Sequence, residues 1–218
     1  MEKIIILCSR MDAHAGVVLD IIKQFKFYEV VGFFDDNEDL QGKELQGIPV
    51  LGKIKDFPKN IPESTKSFFI ATGNNEFRAF CYKLIKKYDY SLVNVIHPSA
   101  IISESVQLGE GIFIGANAVL TNKVKIGNAV LINTAAVIEH NSVLEDYVFI
   151  GPGSNVAGRV KIGESAFLGI GAIIIPDILI GKGSVIGAGS VVINDVEERV
   201  TVVGVPAKKI KDKKKVAK

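Results

Sequence analysis

One of the three histidines, His140, lies in a segment whose spacing predicts what surrounds it. Aliphatic residues recur every six positions, and in a coil of three such hexads each residue lies over the residue eighteen positions later. His140 is therefore expected beside Gly158, which has no side chain to cover its backbone. An imidazole can take a proton from a nucleophile while a peptide N–H stabilises an oxyanion, which is the chemistry of acyl transfer. A solvent-facing corner histidine without a chemical role is the alternative.

The element that must position this pair is a long hexapeptide repeat. A period of six fits neither an α-helix nor a simple alternating strand, and it is typical of a parallel β-helix with strands stacked about 4.8 Å apart. Glycines that follow many of the aliphatic residues are expected in turns with unusual backbone angles. A glycine-rich β-sandwich is the alternative. The aliphatic residues are Ile102, Leu108, Ile114, Leu120, Ile126, Ile132, Ile138, Leu144, Ile150, Val156, Ile162, Leu168, Ile174, Ile180, Ile186 and Val192.

Before the repeat the pattern changes to that of a small α/β domain. Strands and helices alternate, which predicts βαβ units and a Rossmann-like parallel sheet. The stretch 42–62 is rich in glycine and proline and is expected to be mostly loop. We predict domains at 1–97 and 98–200, with a C-terminal segment at 201–218. The predicted elements are strands Lys3–Cys8, Glu29–Phe34, Phe68–Ala71 and Ser91–Ile96, helices Val17–Phe25 and Glu76–Tyr88, and a turn at Thr72–Asn75.

Ligands of open parallel sheets bind beyond the carboxyl ends of the strands, where helix N-termini attract anions. The first such loop, 8–16, lacks the G-x-G-x-x-G spacing, so a redox NAD domain is not expected. Asp35 and Asp36 can accept hydrogen bonds from a base edge or a ribose, or they simply form a turn. His14 has a plain helix-start role as its alternative. The residues predicted to contact the phosphates or the rest of a nucleotide ligand are Ser9, Arg10, His14, Asp35, Asp36, Thr72, Gly73 and Asn74.

Composition narrows the class of protein. The chain has 218 residues and a formal net charge of +2, with a dense basic run only at 208–218. A solvated tail explains that run better than nucleic-acid binding. Its apolar runs are too short to span a membrane, and no secretory signal opens it. Cys8 and Cys81 are too few for a disulfide framework. We therefore expect a cytoplasmic protein with reduced thiols that binds neither nucleic acid nor membrane.

Several short motifs, read together, resemble one family. They are F-F-D-D-N, A-T-G-N-N, V-I-H-P-S-A before the hexads, N-T-A-A-V-I-E-H, V-A-G-R-V-K-I-G and the closing V-G-V-P-A-K. They resemble the bacterial nucleotide-sugar acetyltransferases, the bacillosamine, perosamine and viosamine N-acetyltransferases grouped with the sialic acid O-acetyltransferases. This resemblance implies a Rossmann-like α/β domain followed by a left-handed parallel β-helix. It also implies a homotrimer that binds acetyl-CoA between adjacent β-helices and a nucleotide-activated amino sugar on the N-terminal domain.

The resemblance also assigns roles to residues. It implies that His140 is the general base and that Asn133 lies near the substrate amine, although a stacked polar corner is the alternative for Asn133. Two positions depart from the family. Asn141 follows the histidine where an acidic residue is usual, and Phe149 stands where some relatives have a second histidine. The residues implied for acetyl-CoA are the backbone amides of Gly158, Ile170 and Ala188 and the side chain of Lys208, with simple packing as the alternative for Ile170.

These observations favour acetyl transfer from acetyl-CoA to the C4 amine of a nucleotide-linked 4-amino-4,6-dideoxyhexose. Neither cysteine lies in the hexads, so direct attack is favoured over an acetyl-enzyme. The nearest alternative is O-acetylation of a sialic acid or related hydroxyl, and a sugar-binding scaffold without catalysis is a third. A γ-class carbonic anhydrase needs three zinc-binding histidines. With His14 in the other domain and His97 read as a hinge at the domain junction, the chain has too few, and no metal is expected.

Overall fold

The computed structural model describes residues 1–8, 14–63 and 65–212. It divides the chain into two compact units, Met1–Val95 and the remainder from Ile96. The boundary lies two residues before the predicted one. Of the predicted C-terminal segment, residues 201–212 are not separate, because they lie in strands that extend a sheet of the second unit.

The first unit is a six-stranded sheet with two helices. Its sheet order is β3-β4-β2-β1-β5-β6, and the β1–β2, β1–β5, β2–β4 and β5–β6 pairs are parallel. Short 3₁₀ turns lie at Glu38–Leu40 and Ile54–Asp56. The elements are β1 (Glu2–Leu7), α1 (His14–Phe25), β2 (Tyr28–Phe34), β3 (Glu44–Leu45), β4 (Ile48–Gly52), β5 (Ser67–Ile70), α2 (Asn75–Lys87) and β6 (Ser91–Leu92).

Burial explains why these segments take this form. The central strand β1 is apolar from Ile4 to Leu7 without alternation, and all four side chains are fully buried, as expected for a parallel strand covered on both faces. Helix α1 buries one stripe, which includes Val18, Leu19 and Ile22. Asn74 caps α2 by accepting a hydrogen bond from the Phe77 amide.

One prediction for this unit was incomplete and another was wrong. The stretch 42–62 contains β4, which adds to the sheet beside β2; its Ile48-Pro49-Val50 core is too short for a clear pattern. The single strand predicted at Ser91–Ile96 is two strands, because β6 pairs with β5 whereas Val95–Ile96 spans the boundary between the units and joins a different sheet. Local β propensity gives strand character but not the sheet that the strand joins.

The second unit is a left-handed β-helix with three sheets, one for each side of the coil. The first sheet contains β7, β10, β13, β16, β19, β22, β24 and β25, the second contains β8, β11, β14, β17, β20 and β23, and the third contains β9, β12, β15, β18 and β21. The strands are β7 (Val95–Ile96), β8 (Ile101–Ile102), β9 (Gln107–Leu108), β10 (Phe113–Ile114), β11 (Val119–Leu120), β12 (Lys125–Ile126), β13 (Leu131–Ile132), β14 (Val137–Ile138), β15 (Val143–Leu144), β16 (Phe149–Ile150), β17 (Asn155–Val156), β18 (Lys161–Ile162), β19 (Phe167–Leu168), β20 (Ile173–Ile174), β21 (Leu179–Ile180), β22 (Val185–Ile186), β23 (Val191–Val192), β24 (Val200–Val203) and β25 (Lys208–Asp212).

The predicted register is confirmed. Leu120 pairs with Ile138 and Ile138 with Val156, which are steps of eighteen residues. The hexad aliphatic residues from Ile114 onward are buried and form one continuous core. Only the last coil is shorter, since Ile186 pairs with Val202. Burial of one residue in six therefore fixes the register of every coil.

The prediction for the glycines that follow the aliphatic residues was wrong in its reason. Positive φ occurs two residues later, as at Gly171 and Gly189. At Gly169 itself a Cβ would lie 2.6 Å from the Ala188 backbone nitrogen of the next coil, and at Gly163 it would lie 2.7 Å from the Lys182 nitrogen. These positions need glycine because adjacent coils approach closely there.

Candidate active site

His140 and Gly158 occupy the same corner of the β-helix on successive coils. His140 follows β14 and Gly158 follows β17, both at the turn from the second sheet to the third, which we call the 2–3 corner. A Cβ built on Gly158 would lie 2.6 Å from His140 Nε2 and 2.7 Å from Cε1. The imidazole therefore lies directly over the glycine, and any side chain at position 158 would displace it.

Asn141 fixes the orientation of the imidazole. Its Oδ1 lies 3.1 Å from His140 Nδ1, and its backbone has a φ of 61°. An amide oxygen only accepts hydrogen bonds, so Nδ1 carries the proton and Nε2 faces Gly158 as the acceptor. The tautomer follows from the assigned orientation of the Asn141 amide.

In the part of the chain that the structure describes, no carboxylate makes a hydrogen bond or an ion pair with the imidazole. Glu139 accepts hydrogen bonds from the Thr121 hydroxyl at 3.1 Å and from the His140 backbone N–H at 3.4 Å. Glu145 pairs with Lys161, and Asp146 accepts from the Asn128 amide. The ring of His140 is thus oriented by a neutral amide.

An exposed ion pair lies on the two coils that follow Asn141. Arg159 donates two hydrogen bonds to Asp177, at 2.6 and 2.7 Å. This bidentate contact is the main reason that the pKa of Asp177 is lowered and that of Arg159 is raised, and His140 contributes further to the lowering at Asp177. The pair therefore lies close enough to the imidazole to interact with it electrostatically. Sequence reasoning missed it, although the eighteen-residue register aligns the two residues.

Apart from Gly158, the residues predicted for acetyl-CoA lie along a different corner. Ile170 follows β19 and Ala188 follows β22, at the turn from the first sheet to the second, which we call the 1–2 corner. Neither backbone N–H donates a hydrogen bond to a described residue. Lys208 is exposed at the start of β25, next to the coil that carries Ala188. One chain therefore places Gly158 on one corner and the other three residues on another.

Asn133 also lies at the 1–2 corner and not beside His140. Its Nδ2 donates to the Ile150 carbonyl at 2.7 Å, so part of its side chain stacks on the next coil. Phe149, the second departure from the family, stacks on Phe167 with ring centroids 4.5 Å apart on the outer face of the first sheet. Within one chain these residues do not meet the imidazole.

The second sheet lies between the two corners, and its outer face is apolar except for the exposed Asn155. Ile101 is 66% exposed and Ile173 is 42% exposed, and Val119, Val137 and Val191 extend the same column. The third sheet differs, since Gln107, Lys125 and Lys161 project from it. Exposed aliphatic residues in register on one face of a β-helix are typical of an interface.

In the first unit the predicted ligand loops come together. Because β1 lies between β2 and β5, their carboxyl ends place Asp35 and Thr72 on either side of β1. The order also reverses between β1 and β5, where open sheets bind ligands. Asp35 Oδ1 accepts from the Asn37 amide and Asp36 Oδ1 from the Ile54 amide, so both also shape their loop.

A fully buried arginine, which sequence reasoning missed, supports the loop at 72–75. Arg78 donates to the Thr72 carbonyl at 3.0 Å and to Asn75 Oδ1 at 2.8 Å. Burial lowers its pKa to about 9. Burial, and then the charge of Arg78, lower the pKa of His14 to about 4, so His14 is neutral at pH 7. An arginine on the buried side of a helix was the available signal.

Other predicted residues have simpler outcomes. Ser9 and Arg10 lie outside the described residues, so their contacts remain predictions, as does the end of the basic tail from 213. His97 Nδ1 lies 3.1 Å from the Ser99 amide and 2.8 Å from its hydroxyl, consistent with a structural turn. Cys8 and Cys81 are buried and free. Their mutual hydrogen bond, followed by burial, raises the pKa of the Cys8 thiol.

Comparisons with known proteins agree with this fold. The family described as the PglD N-terminal domain matches residues 12–85, and the bacterial transferase hexapeptide family of six repeats matches residues 159–194. A histidine-to-asparagine variant of perosamine N-acetyltransferase from Caulobacter crescentus, in complex with CoA and GDP-perosamine, is 35% identical with a TM-score of 0.90. The alignment covers 97% of this chain and 98% of that one. This chain belongs to the nucleotide-sugar acetyltransferase family.

Two further members of the structural group are nearly as similar. The acetyltransferase domain of PglB from Neisseria gonorrhoeae FA1090, in complex with acetyl coenzyme A, is 30% identical with a TM-score of 0.87, covering 96% of this chain and 99% of that one. WeeI from Acinetobacter baumannii AYE is 29% identical with a TM-score of 0.85, covering 96% and 100%. The prediction of an acetyl-CoA-dependent sugar N-acetyltransferase is confirmed at the level of this family.

A more distant match concerns only part of a longer protein. The chain is 31% identical over 104 residues, or 48% of its length, to the uncharacterized protein L142 of Acanthamoeba polyphaga mimivirus, and spans 20% of that protein.

Within residues 1–8, 14–63 and 65–212, this acetyltransferase has no helix long and apolar enough to cross a membrane. Those ranges also contain no group of three His, Cys, Asp or Glu residues arranged to hold a metal.

Proposed function

We propose that this acetyltransferase transfers the acetyl group of acetyl-CoA to the C4 amine of a nucleotide-linked 4-amino-4,6-dideoxyhexose, with His140 as general base. The observation that carries the proposal is the His140 imidazole over Gly158, with Nε2 as the nearest atom. The structural relative in complex with CoA and GDP-perosamine supports the class of acceptor.

The reaction needs one base and one oxyanion donor. The neutral amine attacks the thioester carbonyl, and its proton passes to Nε2 of His140 as the C–N bond forms. The carbonyl oxygen gains negative charge, which the Gly158 N–H stabilises. When the C–S bond breaks, the proton moves from His140 to the sulfur and CoA leaves as the thiol. Asn141 holds the imidazole in the required tautomer throughout, because its oxygen accepts from Nδ1.

A complete site requires a second copy of the chain. The residues proposed for acetyl-CoA lie at the 1–2 corner, whereas His140 and Gly158 lie at the 2–3 corner of the same coil stack. In a ring with threefold symmetry two different patches of the chain meet at every interface. We infer a homotrimer in which the apolar second sheet faces the partners, so that acetyl-CoA lies between the 2–3 corner of one copy and the 1–2 corner of the next.

The acceptor's nucleotide is proposed to bind the first unit. Thr72, Gly73 and Asn74 lie at the sheet-order reversal between β1 and β5, and His14 begins a helix whose N-terminus favours phosphate. Asp35 and Asp36 supply acceptors for ribose or base, and Ser9 and Arg10 are proposed to contact phosphate. Asn133 is proposed to hold the amine from the 1–2 corner of a partner.

The test is thiol release from acetyl-CoA in the presence of UDP-, dTDP- and GDP-linked 4-amino-4,6-dideoxy sugars. We expect turnover with one of them and a loss of about 10²- to 10⁴-fold in kcat for His140→Ala. Binding of CoA and of the nucleotide sugar to that variant, measured by calorimetry, should remain. No turnover with any amine, or full turnover by the variant, would overturn the proposal.

The O-acetylation alternative is tested in the same assay with sialic acid as the acceptor. A hydroxyl attacks well only when a base removes its proton, so this reaction depends more strongly on the base than amine transfer does. Among the described residues, no carboxylate contacts the His140 imidazole to strengthen it as a base. The amine, which depends less on the base, is therefore the better acceptor. Faster release with the alcohol than with every amine would select the alternative.

A further inference from the structure

A buried serine lies on the inner side of the 2–3 corner, where packing would favour valine. The residues stacked with it in steps of eighteen are all aliphatic, yet Ser142 is fully buried among them. A buried hydroxyl costs free energy unless it is hydrogen-bonded. Packing alone therefore does not explain the serine. The column is Val106, Val124, Ser142, Val160 and Ile178.

The hydroxyl of Ser142 is inserted into the turn that carries Gly158. It donates to the Ala157 carbonyl at 2.9 Å and accepts from the Val160 N–H at 3.1 Å. At several other corners the backbone N–H donates directly to the carbonyl three residues earlier, with no hydroxyl between them. At one of them the Ala136 N–H bonds the Asn133 carbonyl, at 3.1 Å.

This contact determines where the Gly158 N–H points. The Ala157 carbonyl and the Gly158 N–H belong to the same peptide unit, which is planar and trans, so they point in opposite directions. Since the carbonyl is turned inward to a fully buried hydroxyl, the N–H is directed away from the core. It donates to no described residue.

We propose that Ser142 is a positioning residue that orients the Gly158 N–H as the oxyanion donor. The inference rests on the proposed function, in which that N–H stabilises the transition state. Without the hydroxyl, the Ala157 carbonyl and the Val160 N–H are left to bond each other, as in the direct corners. The turn then tightens and rotates the peptide away from the thioester oxygen.

The same arrangement recurs once at the 1–2 corner. Buried Ser154 donates from its hydroxyl to the Gly169 carbonyl at 2.9 Å, and the N–H of that peptide unit is the Ile170 amide proposed for acetyl-CoA. Here the Ala172 N–H also closes the turn directly onto Gly169 at 3.2 Å. The Gly169 carbonyl thus accepts from two donors, whereas the Ala157 carbonyl accepts from Ser142 alone among the described residues.

The test compares two variants of equal shape. Ser142→Thr keeps the hydroxyl and Ser142→Val removes it, and valine already fills this position in adjacent coils. We expect the valine variant to lose at least about tenfold in kcat while its KM for acetyl-CoA stays within about twofold. The threonine variant should retain turnover. Ser184→Val is the matched control, because that buried hydroxyl has no hydrogen-bond partner among the residues that the structure describes.

A second readout does not depend on activity. Alanine precedes glycine three times in the chain, at Ala15–Gly16, Ala157–Gly158 and Ala188–Gly189. Labelling alanine carbonyls with ¹³C and glycine amides with ¹⁵N therefore gives one carbonyl–amide NMR signal from each pair. In Ser142→Val the Gly158 signal should shift, while those of Gly16 and Gly189 stay in place.

The outcomes separate the two proposals. An unmoved Gly158 signal in Ser142→Val overturns the role of Ser142 whatever the activity. A shifted signal with unchanged kcat overturns it as well, because the peptide that Ser142 holds would then not be the oxyanion donor. If the Gly158 signal shifts in Ser142→Val but the unsubstituted protein acetylates no amine, it is the proposed function that fails.

Discussion

At the scale of single residues, the candidate site depends on one imidazole that is restrained on two sides. Asn141 holds Nδ1, and Gly158 lies against the opposite edge of the ring. An amide carries no charge, so Asn141 selects the tautomer without stabilising the imidazolium as a carboxylate would. The catalytic contribution proposed for His140 therefore rests chiefly on its position.

Gly158→Ala tests that position. The new Cβ would lie 2.6 Å from Nε2, so the ring must move, while the backbone N–H at position 158 is kept. Because a displacement of about 1 Å at a reacting group can cost about 10²-fold, we expect a fall of that order in kcat. Steady-state kinetics measure it, and an unchanged thermal midpoint serves as the control. Full activity would mean that the imidazole need not lie over the glycine.

His14→Gln tests the buried histidine through pH. Burial and the nearby Arg78 lower the pKa of His14 to about 4, from the usual histidine value of 6.5. Between these pH values the unfolded chain binds the proton and the folded chain does not, so stability falls as the pH drops through this window. Allowing for partial exposure of His14, the loss should be about 1–2 kcal/mol.

Urea unfolding of both proteins at pH 7 and at pH 4.5 gives the required comparison. His14→Gln should lose less stability between the two values than the unchanged chain does. Carboxylates with lowered pKa, such as Asp177, are common to both proteins and act mainly at lower pH. Equal losses in the two proteins would show that His14 is not a buried neutral group.

At the scale of elements, the two-residue strands from β10 to β23 bury their second residue, and all of them except β10 and β13 leave the first at least partly exposed. Strand β21 shows the contrast, since Ile180 is fully buried and Leu179 is 46% exposed on the third sheet. Ile180→Ala should lower the free energy of unfolding by about 2–5 kcal/mol, because it opens a cavity in the core. Leu179→Ala should change it by less than about 1 kcal/mol. Denaturant unfolding checks both, and equal costs would contradict the assignment of inside and outside.

The sequence predicts the β-helix well because a six-residue period leaves one register that buries every aliphatic residue. That register places His140 beside Gly158 and Ile170 below Ala188 without any structure. The same register could have been carried further in the sequence analysis. Stacking Val106, Val124 and Val160 with Ser142 would have shown that Ser142 is a polar residue in an otherwise aliphatic column. The division of Ser91–Ile96 between two sheets depends on tertiary pairing, which local propensity does not contain.

At the scale of the whole molecule, the proposed trimer divides the site between copies of the chain. A mixing experiment tests this arrangement, with His140→Ala in one chain and Ile170→Pro/Ala188→Pro in the other. Proline removes a backbone N–H, and the fold tolerates it here because Pro152 already occupies the same corner column as Ile170 and Ala188. Each variant alone should be weak, the first in kcat and the second in KM for acetyl-CoA.

Refolding the two chains together should restore activity. If a site takes His140 from one copy and the amides from the next, about a quarter of the sites in randomly mixed trimers combine two unaltered corners. If each site lies within one chain, every site carries a defect and mixing gains nothing. As the assembly control, Ile173→Lys places a charge on the apolar second sheet, and light scattering should then report monomers that no longer complement. Complementation by such monomers would contradict the shared site.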